Sequence, residues 1–253
     1  MGQSFVVASG KGGAGKTSVV AGVSSCLAKL GKTTVCVDAD AGLRNLDLAL
    51  GLQERTVFDF TDVLAGRVSL DDALVAHPDI QGLSMLAAPM RMTAPPPQPA
   101  AFRALIKTLE DRAAYVIVDS PAGLGAGFML AAGACTGALV VTTPSQSAMR
   151  DSARCAELLA NHTPVKLIVN RVQPRLIRLR HAHSIDEIMD TVGLPLLGIV
   201  PEDEMVLAAQ NHNTPIILAA STGASVAFCD IAERLMGNPC PLPKRFREWK
   251  VKG

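Results

Sequence analysis

Residues 10 to 18 read Gly-Lys-Gly-Gly-Ala-Gly-Lys-Thr-Ser and contain the phosphate-cradling pattern G-x-x-x-x-G-K-[ST]. Phosphates need converging backbone N–H groups, and glycines let a chain turn tightly enough to supply them. Gly10, Gly12, Gly13, Ala14 and Gly15 would make that cradle, and Ser18 ends the run. Lys16 would place a positive charge at the β- and γ-phosphates, and Thr17 a hydroxyl on Mg²⁺. Lys11 is not required by this minimal design.

The same glycines also satisfy G-x-G-x-x-G, a dinucleotide fingerprint, with Asp38 placed about where a ribose-binding acid would follow. A dinucleotide site needs neither the lysine nor the hydroxyl of the G-K-T ending, which favours a mononucleotide. Two acidic segments strengthen that reading. Tyr115-Val116-Ile117-Val118-Asp119 is an apolar strand ending in a carboxylate, which beside a phosphate loop can hold Mg²⁺, commonly through water. Ser120-Pro121-Ala122-Gly123 continues as a turn able to respond to a γ-phosphate. Val37-Asp38-Ala39-Asp40 presents two carboxylates that can divide roles between the metal and an attacking water, or else form a solvated turn.

The elements that must position these groups alternate along the chain. Apolar strand patterns fall at residues 5–8, 34–37, 83–87, 115–118, 138–142, 165–169 and 196–200, with a short one at 216–218. Helical patterns lie between them, as at 102–112, 145–161, 185–192 and 222–236. The alternation predicts an α/β fold: one doubly wound, mostly parallel sheet with helices on both faces and ligands at the carboxyl ends of the strands. The chain divides into a nucleotide domain over 1–238 and a proline-interrupted basic tail over 239–253. The run Ala94-Pro95-Pro96-Pro97-Gln98-Pro99 reads as a non-helical surface connection.

Composition narrows the function. The 253 residues are 49% hydrophobic and carry a net charge of +1, which argues against a broadly basic nucleic-acid binder. Six cysteines without C-x-C or C-x-x-C spacing read as reduced core residues of a cytoplasmic protein rather than as a metal cluster. No signal peptide is visible, and the apolar stretch at 128–141 is too short to span a bilayer.

With Lys11 included, the loop resembles the deviant Walker A loop of the MinD/ParA family of ATPases. Asp38-Ala39-Asp40-Ala41-Gly42-Leu43-Arg44-Asn45-Leu46-Asp47, Asp119-Ser120-Pro121-Ala122-Gly123 and Arg150-Asp151-Ser152 resemble its MinD branch. Asn170-Arg171 and Val200-Pro201-Glu202-Asp203 resemble the family's adenine-side segments. The resemblance covers residues 3 to about 236. It implies an ATP- and Mg²⁺-dependent homodimer in which Lys11 reaches the partner's phosphates in trans. It further implies that Asp40 orients the water with Asn45 nearby, that Thr17 with Asp38 or Asp119 serves Mg²⁺, and that Asn170 reads adenine. A protein regulator or activator is also implied. Residues 88–99 depart from the family pattern, and Ala153 stands where a second acid often follows Asp151, which leaves the partner's identity open.

The tail Lys244-Arg245-Phe246-Arg247-Glu248-Trp249-Lys250-Val251-Lys252-Gly253 resembles a membrane-targeting segment in kind, with Phe246 and Trp249 on one helical face. Burying both aromatics would give roughly 3–6 kcal/mol and each basic group about 1 kcal/mol, against an ordering cost on the order of 10 kcal/mol. One tail should bind anionic membrane weakly, and two on an ATP-held dimer more firmly. A frayed soluble end is the alternative. A ParA-like role on nucleoid DNA, drawing on Arg171, Arg175, Arg178, Arg180, His181 and His183, is the rival function. A metallocluster ATPase lacks its paired cysteines, and a non-hydrolysing switch is disfavoured by Lys11, Asp40 and Asn45.

Overall fold

The computed structural model describes residues 2–91, 97–160 and 163–242. Within them, eight strands make one sheet: β1 (Gln3–Ala8), β2 (Thr34–Asp38), β3 (Val75–Ala76), β4 (Leu83–Leu86), β5 (Tyr115–Asp119), β6 (Gly137–Thr142), β7 (Val165–Val172) and β8 (Leu196–Pro201). The order is β3-β4-β2-β5-β1-β6-β7-β8, and only the β3–β4 pair is antiparallel. The helices are α1 (Lys16–Lys29), α2 (Leu46–Leu50), α3 (Phe60–Leu64), α4 (Leu70–Ala73), α5 (Pro99–Glu110) and α6 (Ala126–Ala132). They continue with α7 (Gln146–Ala160), α8 (Pro174–Arg178), α9 (Ile185–Val192), α10 (Glu204–Asn211), α11 (Ile216–Ala219) and α12 (Gly223–Leu235).

Helices cover both faces, so β2, β5 and β6 are buried along their whole length and read as continuous apolar runs instead of alternating ones. Val116 and Val118 of β5 face a core filled by Phe60, Phe102 and Phe128, while Ile117 faces the core built on α1 and α12. The doubly wound parallel architecture expected from the alternation is present. It brings the carboxyl ends of β2, β5 and β1 side by side, with Asp38 in register with Asp119 and Asp119 in register with Val7.

Three expectations are corrected. Residues 216–218 are not a strand but lie in α11, which follows Pro215 and packs near α1, away from the sheet. A four-residue apolar run carries no decisive period, so packing decides its form. Pro99 belongs to α5 as its first residue, where a missing N–H costs nothing; residues 92–96 of the adjoining run lie outside the described residues. Finally, Cys26 and Cys229 are joined as a disulfide with Cα atoms 5.0 Å apart. They are 203 residues apart in the chain, so no local spacing announces the pair, and only the packing of α1 on α12 creates it. Cys36, Cys135, Cys155 and Cys240 are free, as expected.

His77 fixes the far end of α2, the helix that follows the acidic loop. Its Nε2 lies 3.1 Å from the Leu50 carbonyl, and its Nδ1 accepts the N–H groups of Asp79 and Ile80. That arrangement requires the neutral Nε2–H tautomer, and burial, as the largest cause, holds its pKa below the usual value. The unfolded chain therefore takes up the proton first as pH falls below about 6.5, so stability drops with acidification. Urea unfolding at pH 7.5 and 5.5 is expected to show a smaller loss for His77→Gln than for the native chain. Equal losses would remove His77 from the explanation.

Candidate nucleotide site

The loop between β1 and α1 is held open by its glycines. Gly13 and Gly15 take φ of 82° and 88°, which a residue with a Cβ adopts only under strain. A Cβ on Gly10 would collide with the backbone of Asp151 in α7, so that position admits only glycine. The Asn170 side chain braces the loop from beneath, donating to the Ala14 carbonyl at 2.9 Å, and a Cβ on Gly15 would strike its amide.

A cavity of about 470 Å³ opens over the loop, lined by Gly12, Gly13, Gly15, Lys16, Thr17, Asp40 and Asn45 among others. Lys16 is 8% exposed, and its ammonium donates to Ser9 Oγ at 3.3 Å. Thr17 donates to Asp119 Oδ2 at 2.6 Å. Oδ1 of the same carboxylate is buried with no partner. Burial first, then the nearby Asp38 carboxylate, pushes Asp119 up to about 7. An orphaned carboxylate oxygen beside a threonine hydroxyl and a phosphate loop fits Mg²⁺. Among the described residues no three His, Cys, Asp or Glu side chains form a metal cage, and Mg²⁺ shared with phosphates and waters does not need one.

Asp38 lies beside Asp119, but both its oxygens are engaged, accepting from the N–H groups of Asp40 at 2.9 Å and Leu46 at 3.3 Å. Burial raises it to about 6. It shapes the loop that carries Asp40 and Asn45, and each of its oxygens, with one bond accepted, keeps a lone pair beside Asp119. Asp40 reaches the cavity; burial raises its pKa and Lys16 opposes the rise. Asn45 starts α2 without a side-chain capping bond, so its amide is available to the cavity. The turn at Ser120 is tied to β1 through Ser120 Oγ and the Val7 carbonyl, and Ala122 joins the cavity wall.

Lys11 differs from the rest. It is exposed, does not line the cavity of its own chain, and makes no ion pair among the described residues.

The adenine-side residues are only partly gathered. Arg171 donates to the Gly13 carbonyl at 3.4 Å and faces Glu202 at 3.6 Å. Pro201 ends β8, and Asp203 accepts from the N–H groups of Met205 and Ala224, capping α10 and bonding the first turn of α12. None of Asn170, Arg171, Pro201, Glu202 and Asp203 lines the cavity that Lys16 lines. Gln210, Asn211 and Asn213 do line it, and the sequence reading missed them. Gln210 Nε2 donates to Ser18 Oγ at 3.1 Å. The only signal was the amide-rich run Gln210-Asn211-His212-Asn213 near the end of α10.

A parallel sheet whose first strand feeds a G-K-T loop onto a helix, with a strand-end carboxylate on the threonine, defines a phosphate-loop nucleotide-binding ATPase. The chain belongs to the CobQ/CobB/MinD/ParA nucleotide-binding family, whose domain model matches residues 5–216. It is 39% identical to the septum site-determining protein MinD of Synechocystis, over 96% of this chain and 92% of that one. The structure superposes on the MinC:MinD cell division protein complex of Aquifex aeolicus with a TM-score of 0.88 at 36% identity, covering 95% of this chain and 98% of that one. It also superposes on the Pyrococcus horikoshii MinD complexed with Mg-ADP, with a TM-score of 0.83 at 27% identity, over 93% and 96% of the two chains.

Proposed function

We propose that this chain is a MinD-like switch: ATP brings two copies together, hydrolysis releases them, and the cycle positions division-site or polar machinery at the membrane. The observation that carries the proposal is Lys11, an exposed cation within the phosphate loop that does not line its own chain's cavity. In a face-to-face pair it would reach the partner's phosphates as a cation supplied in trans.

The residues divide the chemistry in a simple way. Bound Mg²⁺ would neutralise phosphate charge, with Thr17 and Asp119 as the side chains that hold it. Lys16 and the loop N–H groups would fix the phosphates of ATP. Asp40, whose proton affinity is raised by burial, would orient the attacking water, and Asn45 would steady it. Asn170 and Arg171 would hold the loop's shape from the adenine side.

The Aquifex neighbour is a complex with MinC, and a regulator of that kind is the partner proposed here. Among the described residues no helix is long and apolar enough to cross a membrane. Membrane contact is proposed for the tail at 239–253, on the aromatic and basic residues of its sequence; 243–253 lie outside the described residues. The nucleotide domain is taken as 1–238.

Light scattering tests the switch. An Asp40→Ala chain, slowed in hydrolysis, is expected to have the mass of a dimer in ATP and Mg²⁺ and of a monomer in ADP; a monomer in both refutes the proposal. Trp249, the single tryptophan, reports on the tail. Its emission should move to the blue on anionic vesicles with ATP and not with ADP, and an unchanged spectrum with both nucleotides would end the membrane assignment.

A further inference from the structure

We propose that Cys26 and Cys229 form a peroxide-responsive site that makes and breaks a covalent tie between α1 and α12. The two helices pack closely, since a Cβ on Gly22 of α1 would collide with the Phe228 ring of α12. One turn further along α1, Cys26 meets Cys229 with Cα atoms 5.0 Å apart, within the span a disulfide bridges. Cys26 is fully buried, whereas Cys229 is partly exposed. Reagent therefore enters at Cys229.

The steps balance with hydrogen peroxide as oxidant. The Cys229 thiolate attacks one peroxide oxygen and the O–O bond breaks, leaving a sulfenic acid and a hydroxide that takes up a proton to become water. The Cys26 thiol then attacks the Cys229 sulfur. An S–S bond forms, and the sulfenic oxygen leaves as a second water carrying the Cys26 proton. In sum, two thiols and one peroxide give one disulfide and two waters. A small thiol reverses this by exchange at Cys229, the partly exposed member of the pair. The opened pair is accommodated, because the Ser225 carbonyl lies 4.0 Å from Cys26 Sγ as a weak acceptor for the thiol.

Burial pushes Cys36 and Cys155 up to about 12 and raises Cys135 and Cys240 as well, which lowers the thiolate share at those four sites.

The tie matters because of what its two helices carry. α1 begins with Lys16, Thr17 and Ser18, and Ser18 is bonded to Gln210 of α10. Asp203 caps α10 and accepts an N–H from the first turn of α12. The disulfide closes this ring on its remaining side, holding the helix that leads to the tail against the helix that holds the phosphates. Oxidation would restrict relative motion of the two, and reduction would permit it.

Intact-mass and peptide analysis of the full chain tests the site. After treatment with hydrogen peroxide and alkylation in denaturant, four of the six cysteines should be labelled, and a Cys26–Cys229 linked peptide should appear. After dithiothreitol all six should be labelled. Reduction should lower the melting temperature of the native chain by about 5–15 °C and speed hydrogen exchange in α12, while Cys229→Ser shows neither response. Two results would overturn the proposal: equal labelling of Cys26 and Cys229 with and without peroxide, or the same melting shift in Cys229→Ser. If Cys229→Ser fails to fold, Cys229→Ala replaces it, and the labelling result decides alone.

Discussion

Replacing Lys16 with alanine is expected to weaken ATP binding by two to three orders of magnitude. The lysine is almost fully buried, and its charge is shared between the phosphate cradle and the carboxylates of Asp40 and Asp119. Removing one member of a buried charge group costs roughly 3–5 kcal/mol, because the opposite charges remain without compensation. At about 1.4 kcal/mol per tenfold change, that corresponds to roughly 10²-fold to a few thousandfold in affinity. Two consequences share this cause. Phosphates lose a cation, and the carboxylate cluster becomes more repulsive toward them. Titration with a fluorescent ATP analogue measures the loss, with circular dichroism confirming that the variant folds. Affinity within threefold of the native value would mean that Lys16 does not hold the phosphates.

Lys11→Ala should behave in the opposite way. Its side chain lies outside its own cavity, so a monomer should bind ATP about as well as the native chain. Hydrolysis by the assembled pair should fall by about 10³-fold or more, the range found when a cation supplied in trans is removed. Single-turnover rates on saturated protein separate the two effects. Native hydrolysis in Lys11→Ala would refute the trans role, whereas loss of ATP binding would mean that Lys11 acts on its own chain's phosphates. Together the two lysines distinguish a cradle from an assembly sensor.

Much of the site was legible because it is local. The spacing from Gly10 to Thr17 is a backbone requirement, and positive φ at Gly13 and Gly15 is what those glycines are for. Asp119 was legible because a buried strand reads as an apolar run and ends abruptly in a carboxylate. Asp38 was legible as a strand-end acid beside Asp119, while its bonds to the N–H groups of Asp40 and Leu46, which shape the following loop, were not. The segment Val200–Asp203 was legible as a motif, while the bonds of Asp203 to the first turns of α10 and α12 were not. Gln210, Asn211 and Asn213 left only an amide-rich run, which does not by itself distinguish a cavity wall from a solvated turn.

By itself, then, the sequence determined the phosphate loop, the alternation of the long strands and helices along the chain, and the extra cation at Lys11. These rest on dihedral restrictions and on apolar periodicity, which act over a few residues. Only the tertiary structure decided which groups meet: Thr17 with Asp119, Asn170 with the loop from beneath, Gly10 with the backbone of Asp151, and Cys26 with Cys229. Each of these contacts joins segments separated by a hundred residues or more. Close packing of whole helices and strands sets such meetings, and no short stretch of sequence encodes them.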